Sequence, residues 1–344
     1  MKKEKKLITV LNGEVVGPPP IWLMRQAGRY LPEYRELRAK AGSFWTMCMD
    51  PEIATEITLQ PIRRFGFDAA IIFSDILTVP YALGRTITFT DGEGPSLVPV
   101  DTAEGLQRDP DIWSAKLAPA YQTLGNVRSK LDEATALLGF AGAPWTLATY
   151  MAAGRGGDEQ KAAKLWAQRD PGGFHALLDL LGDCVTQHLV AQVDAGADAV
   201  QIFDSWAGSL TGRDFIRWAI EPVARVARGV HKQRPDARII GFPRGMHPEH
   251  AGRYREATGV DAISVDTDTS LDAIRAEVDG RAALQGNLDP LLLVEGGEAL
   301  RGAARCILDR MHGQRFIFNL GHGVVPQTPV AHVEELVKLV RSTA

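Results

Sequence analysis

Two arginines four residues apart stand in Met24-Arg25-Gln26-Ala27-Gly28-Arg29-Tyr30-Leu31-Pro32-Glu33, and Arg38 follows a little further on. A guanidinium is planar, permanently charged and able to grip a carboxylate or phosphate through two parallel hydrogen bonds. A glycine-containing segment carrying two of them could cradle an anion. The same arginines could equally belong to a salt-bridged surface loop with Glu33 and Glu36. Asp75 closes the apolar run Ala69-Ala70-Ile71-Ile72-Phe73-Ser74. A carboxylate there is expensive to bury unpaired. It either pairs with an arginine or stays ionised, where it could accept N–H bonds from a ligand and stabilise a developing positive charge. Tyr150 and Ser205 supply hydroxyls, and His322 sits between Gly321 and Gly323, which leaves its imidazole accessible. That imidazole could bind an anion, move a proton or bind a metal. Ser205, His322 and an aspartate could be drawn as a hydrolytic triad, but Ser205 has no GxSxG elbow around it.

These residues need elements to position them. Eight short apolar runs bounded by turn residues read as strands: Pro20–Met24, Asp68–Ser74, Ala136–Ala141, Ala197–Asp204, Arg238–Phe242, Val260–Val265, Arg281–Gln285 and Arg315–Asn319. Several are continuously apolar, as in a parallel sheet covered on both faces. Helical patterns lie between them. Asp50-Pro51 reads as an N-cap and first helical position, followed by Ile53, Ile57 and Ile62. Phe174, Leu177, Leu178, Leu181, Val185 and Leu189 repeat at helical spacing, as do Val330, Val333, Val337 and Val340. Alternating strands and helices imply right-handed βαβ units, and eight of them predict an α/β fold that is one (β/α)8 TIM barrel over residues 1–344, with a short basic tail at 1–6. A doubly wound open sheet is the alternative, but no GxGxxG follows any strand. The spacing shows no clear internal repeat beyond the alternation, and Gly154–Asp158 reads as a mobile loop.

In a barrel, active-site residues follow the C-terminal ends of the strands. Those positions hold Arg25 and Arg29, Asp75, the stretch Gly142 to Tyr150, Asp204 and Ser205, Asp266, Asn287 and Asp289, and His322.

Composition bounds the function. The 344 residues carry 38 Lys and Arg against 42 Asp and Glu, a net charge of −4. This argues against a nucleic-acid partner held by phosphate neutralisation, while leaving room for a local basic pocket. Cys48, Cys184 and Cys306 lie far apart with no CxxC or HxC pattern, so neither a disulfide framework nor a thiolate zinc site is expected, and a reducing cytoplasm fits. His247 and His250 lack a third ligand at metal spacing. No apolar run is long enough for a signal peptide or a membrane span.

The stretch from Pro20 through Trp22, Arg25 and Arg29 to Glu33 closely resembles the N-terminal signature of the uroporphyrinogen decarboxylase family of haem and tetrapyrrole biosynthesis. Gly139-Phe140-Ala141-Gly142-Ala143-Pro144-Trp145-Thr146 is similar to that family's second signature. Ile71 to Leu77, Phe203-Asp204-Ser205 and Asn319-Leu320-Gly321-His322-Gly323 match in order and spacing. The resemblance runs over essentially the whole chain. It implies a barrel acting as a homodimer, with neither metal nor organic cofactor. It implies conversion of uroporphyrinogen III to coproporphyrinogen III by loss of CO2 from four acetate side chains. By family match, Arg25 and Arg29 bind substrate carboxylates, Arg38 is a further contact, and Gln26, Ala27 and Gly28 between the two arginines also bind substrate. Asp75 receives the pyrrole N–H groups and stabilises the transition state, and Tyr150, Ser205 and His322 make the remaining contacts. Phe73, Phe140 and Phe203 form apolar walls. The main competing reading is a corrinoid-type methyltransferase on the same barrel; a non-catalytic tetrapyrrole carrier is the other.

Overall fold

The computed structural model describes residues 4–90, 94–157 and 159–342. Nine strands occur among them: β1 (Ala69–Ile71), β2 (Thr88–Thr90), β3 (Gly94–Ser96), β4 (Ala136–Gly142), β5 (Ala199–Asp204), β6 (Arg238–Pro243), β7 (Ala262–Ser264), β8 (Ala283–Leu288) and β9 (Phe316–Leu320). Seven form one parallel sheet in the order β1-β4-β5-β6-β7-β8-β9; β2 and β3 make a separate antiparallel hairpin that the apolar pattern does not announce. The order is sequential, as right-handed βαβ connections around a ring require.

The first expected strand is the one that differs. Pro20–Met24 contributes a single bridging residue, Ile21, opposite Phe318. Its backbone still closes the ring. Phe318 N donates to Pro20 O (2.9 Å) and Trp22 N to Phe318 O (3.3 Å), while Asp68 N donates to Ile21 O (2.9 Å). On the β1 side the Ile21 N–H goes to the Asp68 carboxylate (2.9 Å) and not to backbone, and the prolines before it have no N–H to give, so no longer ladder forms. Residues 20–22 are therefore the first of eight staves.

The helices lie where the apolar spacing puts them. Asp50 caps Pro51–Phe65 by accepting from Glu52 N (2.9 Å) and Ile53 N (3.0 Å). Pro171–Asp194 buries Phe174, Leu177, Leu178, Leu181, Val185 and Leu189, and Val330–Ser342 buries Val333, Val337 and Val340. Lys6 already belongs to the helix Lys6–Leu11, so the basic tail is shorter than expected; residues 1–3 lie outside the described ones. No helix among the described residues is long and apolar enough to cross a membrane.

Polar side chains fill part of the ring. Trp22 Nε1 donates to Gln285 Oε1, and Gln285 Nε2 to Gln201 Oε1 and Ser264 Oγ, each at 3.0 Å. These residues come from four different staves, so they meet inside the barrel, and all are buried. Mutual bonding is what makes such a layer tolerable in an apolar interior.

An internal repeat does exist, at the N-terminal floor. Gly66-Phe67-Asp68-Ala69, Gly196-Ala197-Asp198-Ala199 and Gly259-Val260-Asp261-Ala262 each enter a strand. Each glycine has positive φ, ending the preceding helix. Each aspartate then clamps the preceding stave: Asp68 takes Ile21 N, Asp198 takes Leu137 N (2.7 Å), and Asp261 takes Ile239 N (2.8 Å). Their own N–H groups return to Ile21 O, Leu137 O and Ile239 O. The fourth equivalent, Gly313-Gln314-Arg315-Phe316, carries arginine instead. A cavity of about 230 Å³ lies there, lined in part by Ala282, Leu284 and Arg315.

Candidate active site

The site begins where β1 stops. Its ladder with β4 runs only from Ala69–Ala136 to Ile71–Leu138. Beyond that, Gln192 of the Pro171–Asp194 helix serves as a substitute strand: Phe140 N donates to Gln192 Oε1 (2.7 Å) and Gln192 Nε2 to Phe140 O (2.9 Å). Gly139 makes room, since a Cβ there would overlap the Gln192 amide. Relieved of pairing, the chain after Ile71 peels away. Phe73 N is caught by Thr58 Oγ1 (2.9 Å), and Asp75 arrives half-buried, with Oδ1 accepting from Leu77 N (2.8 Å). Burial raises the Asp75 pKa; the Leu77 N–H and the Arg25 charge oppose that rise.

Arg25 comes from a turn fixed on both sides. Met24 N donates to Asn319 Oδ1 (2.9 Å), and Val324 N donates to Met24 O (2.9 Å). Arg25 has φ 58°, the left-handed region that an arginine seldom occupies. Its aliphatic stem lies on Gly323, where a Cβ would collide with it. No carboxylate pairs with Arg25 or Arg29 among the described residues, and Glu33 goes instead to Arg64 (2.8 Å). The surface salt-bridge reading of this loop is therefore not the one the chain adopts. Arg29 is exposed; its charge and that of Arg38 act on the buried Tyr34 phenol, to which Arg38 is hydrogen-bonded.

The remaining expected residues divide. Tyr150 is half-buried on the helix Pro144–Ala153, and its pKa is raised first by burial and then by Asp75, with Arg25 and a hydrogen bond from Trp206 acting the other way. Ser205 is half-buried between Asp204 and Trp206. His322 is pushed down to about 4, by burial first, then by the Arg25 and Arg244 charges, against Asp266. Arg25, Asp75, Tyr150 and His322 thus share one electrostatic neighbourhood at the C-terminal mouth. Phe140 and Phe203 meet edge to face, with centroids 5.5 Å apart, and Phe73 packs on Tyr34 (5.9 Å) and Phe44 (5.6 Å).

The side chain of Gln26 is turned into the core. It is fully buried, accepts from Leu23 N (3.2 Å) and donates to Ala69 O (3.1 Å), so it braces the arginine turn against β1. Ala27 and Gly28 are half-buried beside it. Three strand-end residues are structural. Asp266 accepts from Asp268 N (3.0 Å) and Thr269 Oγ1 (2.8 Å), Asn287 Nδ2 bonds Asp266 O and Thr269 O, and Asp289 caps Pro290–Glu295. Asp204 faces the helix layer, where Thr146 Oγ1 donates to its Oδ1 (2.6 Å) while Oδ2 has no partner. Burial pushes its pKa up to about 7.

The Gly154–Asp158 loop is tied down over part of its length. Arg155 bridges to Ser96, Leu97 N donates to Gly154 O (2.8 Å), and Gly156 lies over the Tyr150 hydroxyl; Asp158 lies outside the described residues. The strand-end reading passes over Arg244, which directly follows β6. Its signal is the same as that of the others, a polar residue and a glycine after an apolar run, in Phe242-Pro243-Arg244-Gly245. Among the described residues no three His, Cys, Asp or Glu side chains are grouped to hold a metal ion.

Comparison with known proteins bears on all of this. A family model described as uroporphyrinogen decarboxylase matches residues 2–343. The uroporphyrinogen decarboxylase of Chelativorans sp. (strain BNC1) is 52% identical over 339 residues, covering 98% of both chains. That of Mesorhizobium japonicum is 50% identical over 344 residues, covering 100% of both. Among solved structures, a methyltransferase from Methanosarcina mazei superposes with a TM-score of 0.79 over 98% of both chains at 20% identity. A B12-independent methionine synthase from Shewanella sp. W3-18-1 gives 0.56 at 12% identity over 85% of this chain and 87% of its own. At those identities the two structures speak for the barrel architecture alone.

Proposed function

The chain belongs to the uroporphyrinogen decarboxylase family, and we propose that the mouth of its barrel binds uroporphyrinogen III and converts its four acetate side chains to methyls, giving coproporphyrinogen III. The observation that carries the assignment of the site is Arg25 near Asp75: the Arg25 charge opposes the rise in the Asp75 pKa, yet no ion pair joins the two. A cation and an anion held so, without neutralising one another, suit a ligand that presents both carboxylates and N–H donors.

Direct loss of CO2 from an acetate would leave a carbanion with nothing to stabilise it. Protonation of the pyrrole ring first makes the ring an electron sink. The acetate C–C bond then breaks into it, CO2 leaves, and protonation of the resulting methylene with loss of the ring proton gives the methyl. Asp75 accepts the pyrrole N–H groups and offsets the positive charge as it appears. Because it is already in place in a poorly solvated setting, its charge acts strongly there. Arg25, Arg29 and Arg38 grip carboxylates. Tyr150, its pKa raised, stays protonated and donates, and His322 is neutral at physiological pH, a hydrogen-bonding group and not a cation. Ser205 completes the polar contacts; Phe140, Phe203 and Phe73 wall the macrocycle.

The methyltransferase reading rests on shared architecture, whereas the decarboxylases match half of all residues over the full length. Anaerobic incubation with uroporphyrinogen III, followed by oxidation and chromatography by carboxylate number, tests the proposal. Progress from eight carboxylates to four supports it; unchanged substrate overturns it, pointing to a carrier if the substrate binds and to a methyltransferase if it does not. The proposal extends to a single barrel domain over residues 1–344 acting as a cytoplasmic homodimer, and a monomer by sedimentation would remove that part.

A further inference from the structure

We propose that Arg244 is a further substrate-binding residue, gripping a carboxylate of the macrocycle from the side of the ring opposite Arg25. The inference rests on the uroporphyrinogen reading of the mouth and adds a residue to it. Counting residues 20–22 as the first stave, β6 is the fifth of eight in the hydrogen-bonded order, so the loops that follow these two staves face one another across the mouth. Arg25 stands on one and Arg244 on the other. His322 follows β9, the eighth stave, next to Arg25 and three staves from Arg244. Both guanidinium charges nevertheless reach its imidazole. A charge felt across three staves fits an Arg244 side chain that runs inward over the mouth.

The backbone under Arg244 is fixed. Its N–H donates to Asp204 O (3.1 Å) and its C=O accepts from Gly208 N (2.8 Å), so the loop is zipped to the one that carries Ser205. Gly208 and Gly245 pack backbone to backbone at this seam; a Cβ on Gly208 would come within 2.7 Å of Gly245 Cα. Gly245 N is held in turn by the Asp266 carboxylate. The Arg244 side chain is half-buried, and among the described residues no carboxylate lies within ion-pair distance of it. A half-buried guanidinium on a rigid support with no internal anion is poised for an external one. The macrocycle carries eight carboxylates around its rim, and cations confined to one side of the mouth leave the far side unmatched.

The test uses the full-length enzyme with uroporphyrinogen, together with Arg244→Lys and Arg244→Gln. The expected result for Arg244→Gln is a KM raised about tenfold with kcat within threefold of wild type. Arg244→Lys, which keeps the charge, recovers most of that loss. NMR titration of the His322 ring supplies a readout independent of turnover, and Arg244→Gln is expected to raise its midpoint while Arg244→Lys leaves it near the wild-type value. Unchanged KM in both variants, or an unmoved His322 midpoint in a folded Arg244→Gln protein, overturns the proposal. If Arg244→Gln does not fold, the His322 midpoint and KM of Arg244→Lys decide: a lysine variant with wild-type folding but KM raised beyond tenfold would mean that the charge is not what matters, and would also overturn it. Failure of the underlying reading looks different, because wild-type protein itself would then leave uroporphyrinogen unchanged.

Discussion

At the floor of the barrel, Asp68, Asp198 and Asp261 each hold a backbone N–H of the neighbouring stave, and Asp198 also pairs with Arg128 (3.1 Å) and Lys5. At the mouth, Asp75 holds one N–H, from Leu77, and pairs with no cation among the described residues. The arginines divide in the same way: Arg128 and Arg64 have carboxylate partners, while Arg25, Arg29 and Arg244 have none among the described residues. The three floor aspartates are satisfied by the fold, so they stabilise it. Asp75, Arg25, Arg29 and Arg244 keep unused hydrogen-bonding capacity, which a ligand of complementary charge can take up. Residue type is the same at the two ends; what separates structure from chemistry is how many partners the fold has already supplied.

Variants that exchange the two behaviours would break this contrast. The largest effect is expected for Asp75→Asn, which removes the fixed negative charge and should lower kcat by roughly a hundredfold or more while leaving the thermal midpoint close to wild type; near-normal turnover would remove Asp75 from the chemistry. Asp198→Ala should do the opposite. It orphans the Leu137 N–H and two cations, at a cost of about 2–3 kcal/mol in denaturant unfolding, with kcat little changed; a stable but inactive variant would erase the distinction. Asp204, buried behind the mouth, offers an intermediate case. Its folded pKa of about 7 lies above the ordinary aspartate value of 3.8, so the unfolded chain ionises first as pH rises. Stability should therefore fall between those values, by at most roughly 1.4 kcal/mol per pH unit, and the fall should be absent in Asp204→Asn. Parallel pH profiles of unfolding for the two proteins would show that Asp204 is ionised in the native state. The smallest effects belong to Arg25→Ala and Arg29→Ala, each expected to weaken substrate binding by somewhat more than ~1 kcal/mol. Unchanged binding isotherms would take those arginines out of the site.

Much of this architecture is legible in the letters. Continuous apolar runs such as Ala136–Ala141, bounded by turn residues, read as strands covered on both faces and are strands, and Asp50-Pro51 announces its helix through a capping bond that forms as expected. The first stave is less legible, because a side chain, Asp68, takes the place of a backbone partner and periodicity is blind to that. The Gly-x-Asp-Ala repeat is in plain view but made of common residue types, and its meaning appears only when the aspartates are seen reaching back to the preceding staves. Gln26 is a binding residue by family match alone. The sequence does not say which way a side chain points in a turn, and this one points into the core. Arg244 is overlooked for the converse reason, standing alone where Arg25 and Arg29 draw notice as a pair.

Where β1 ends early, the upper half of β4 would present an unpaired strand edge, the kind of surface that recruits foreign strands during folding or at high concentration. The Gln192 amide fills that edge with one side chain, satisfying both backbone groups of Phe140. A single glutamine thus acts as a stopper against aggregation, at the place where the ring has loosened to let Asp75 out. Gly139 is tied to the same duty. Any larger residue there would evict the amide and uncover that edge.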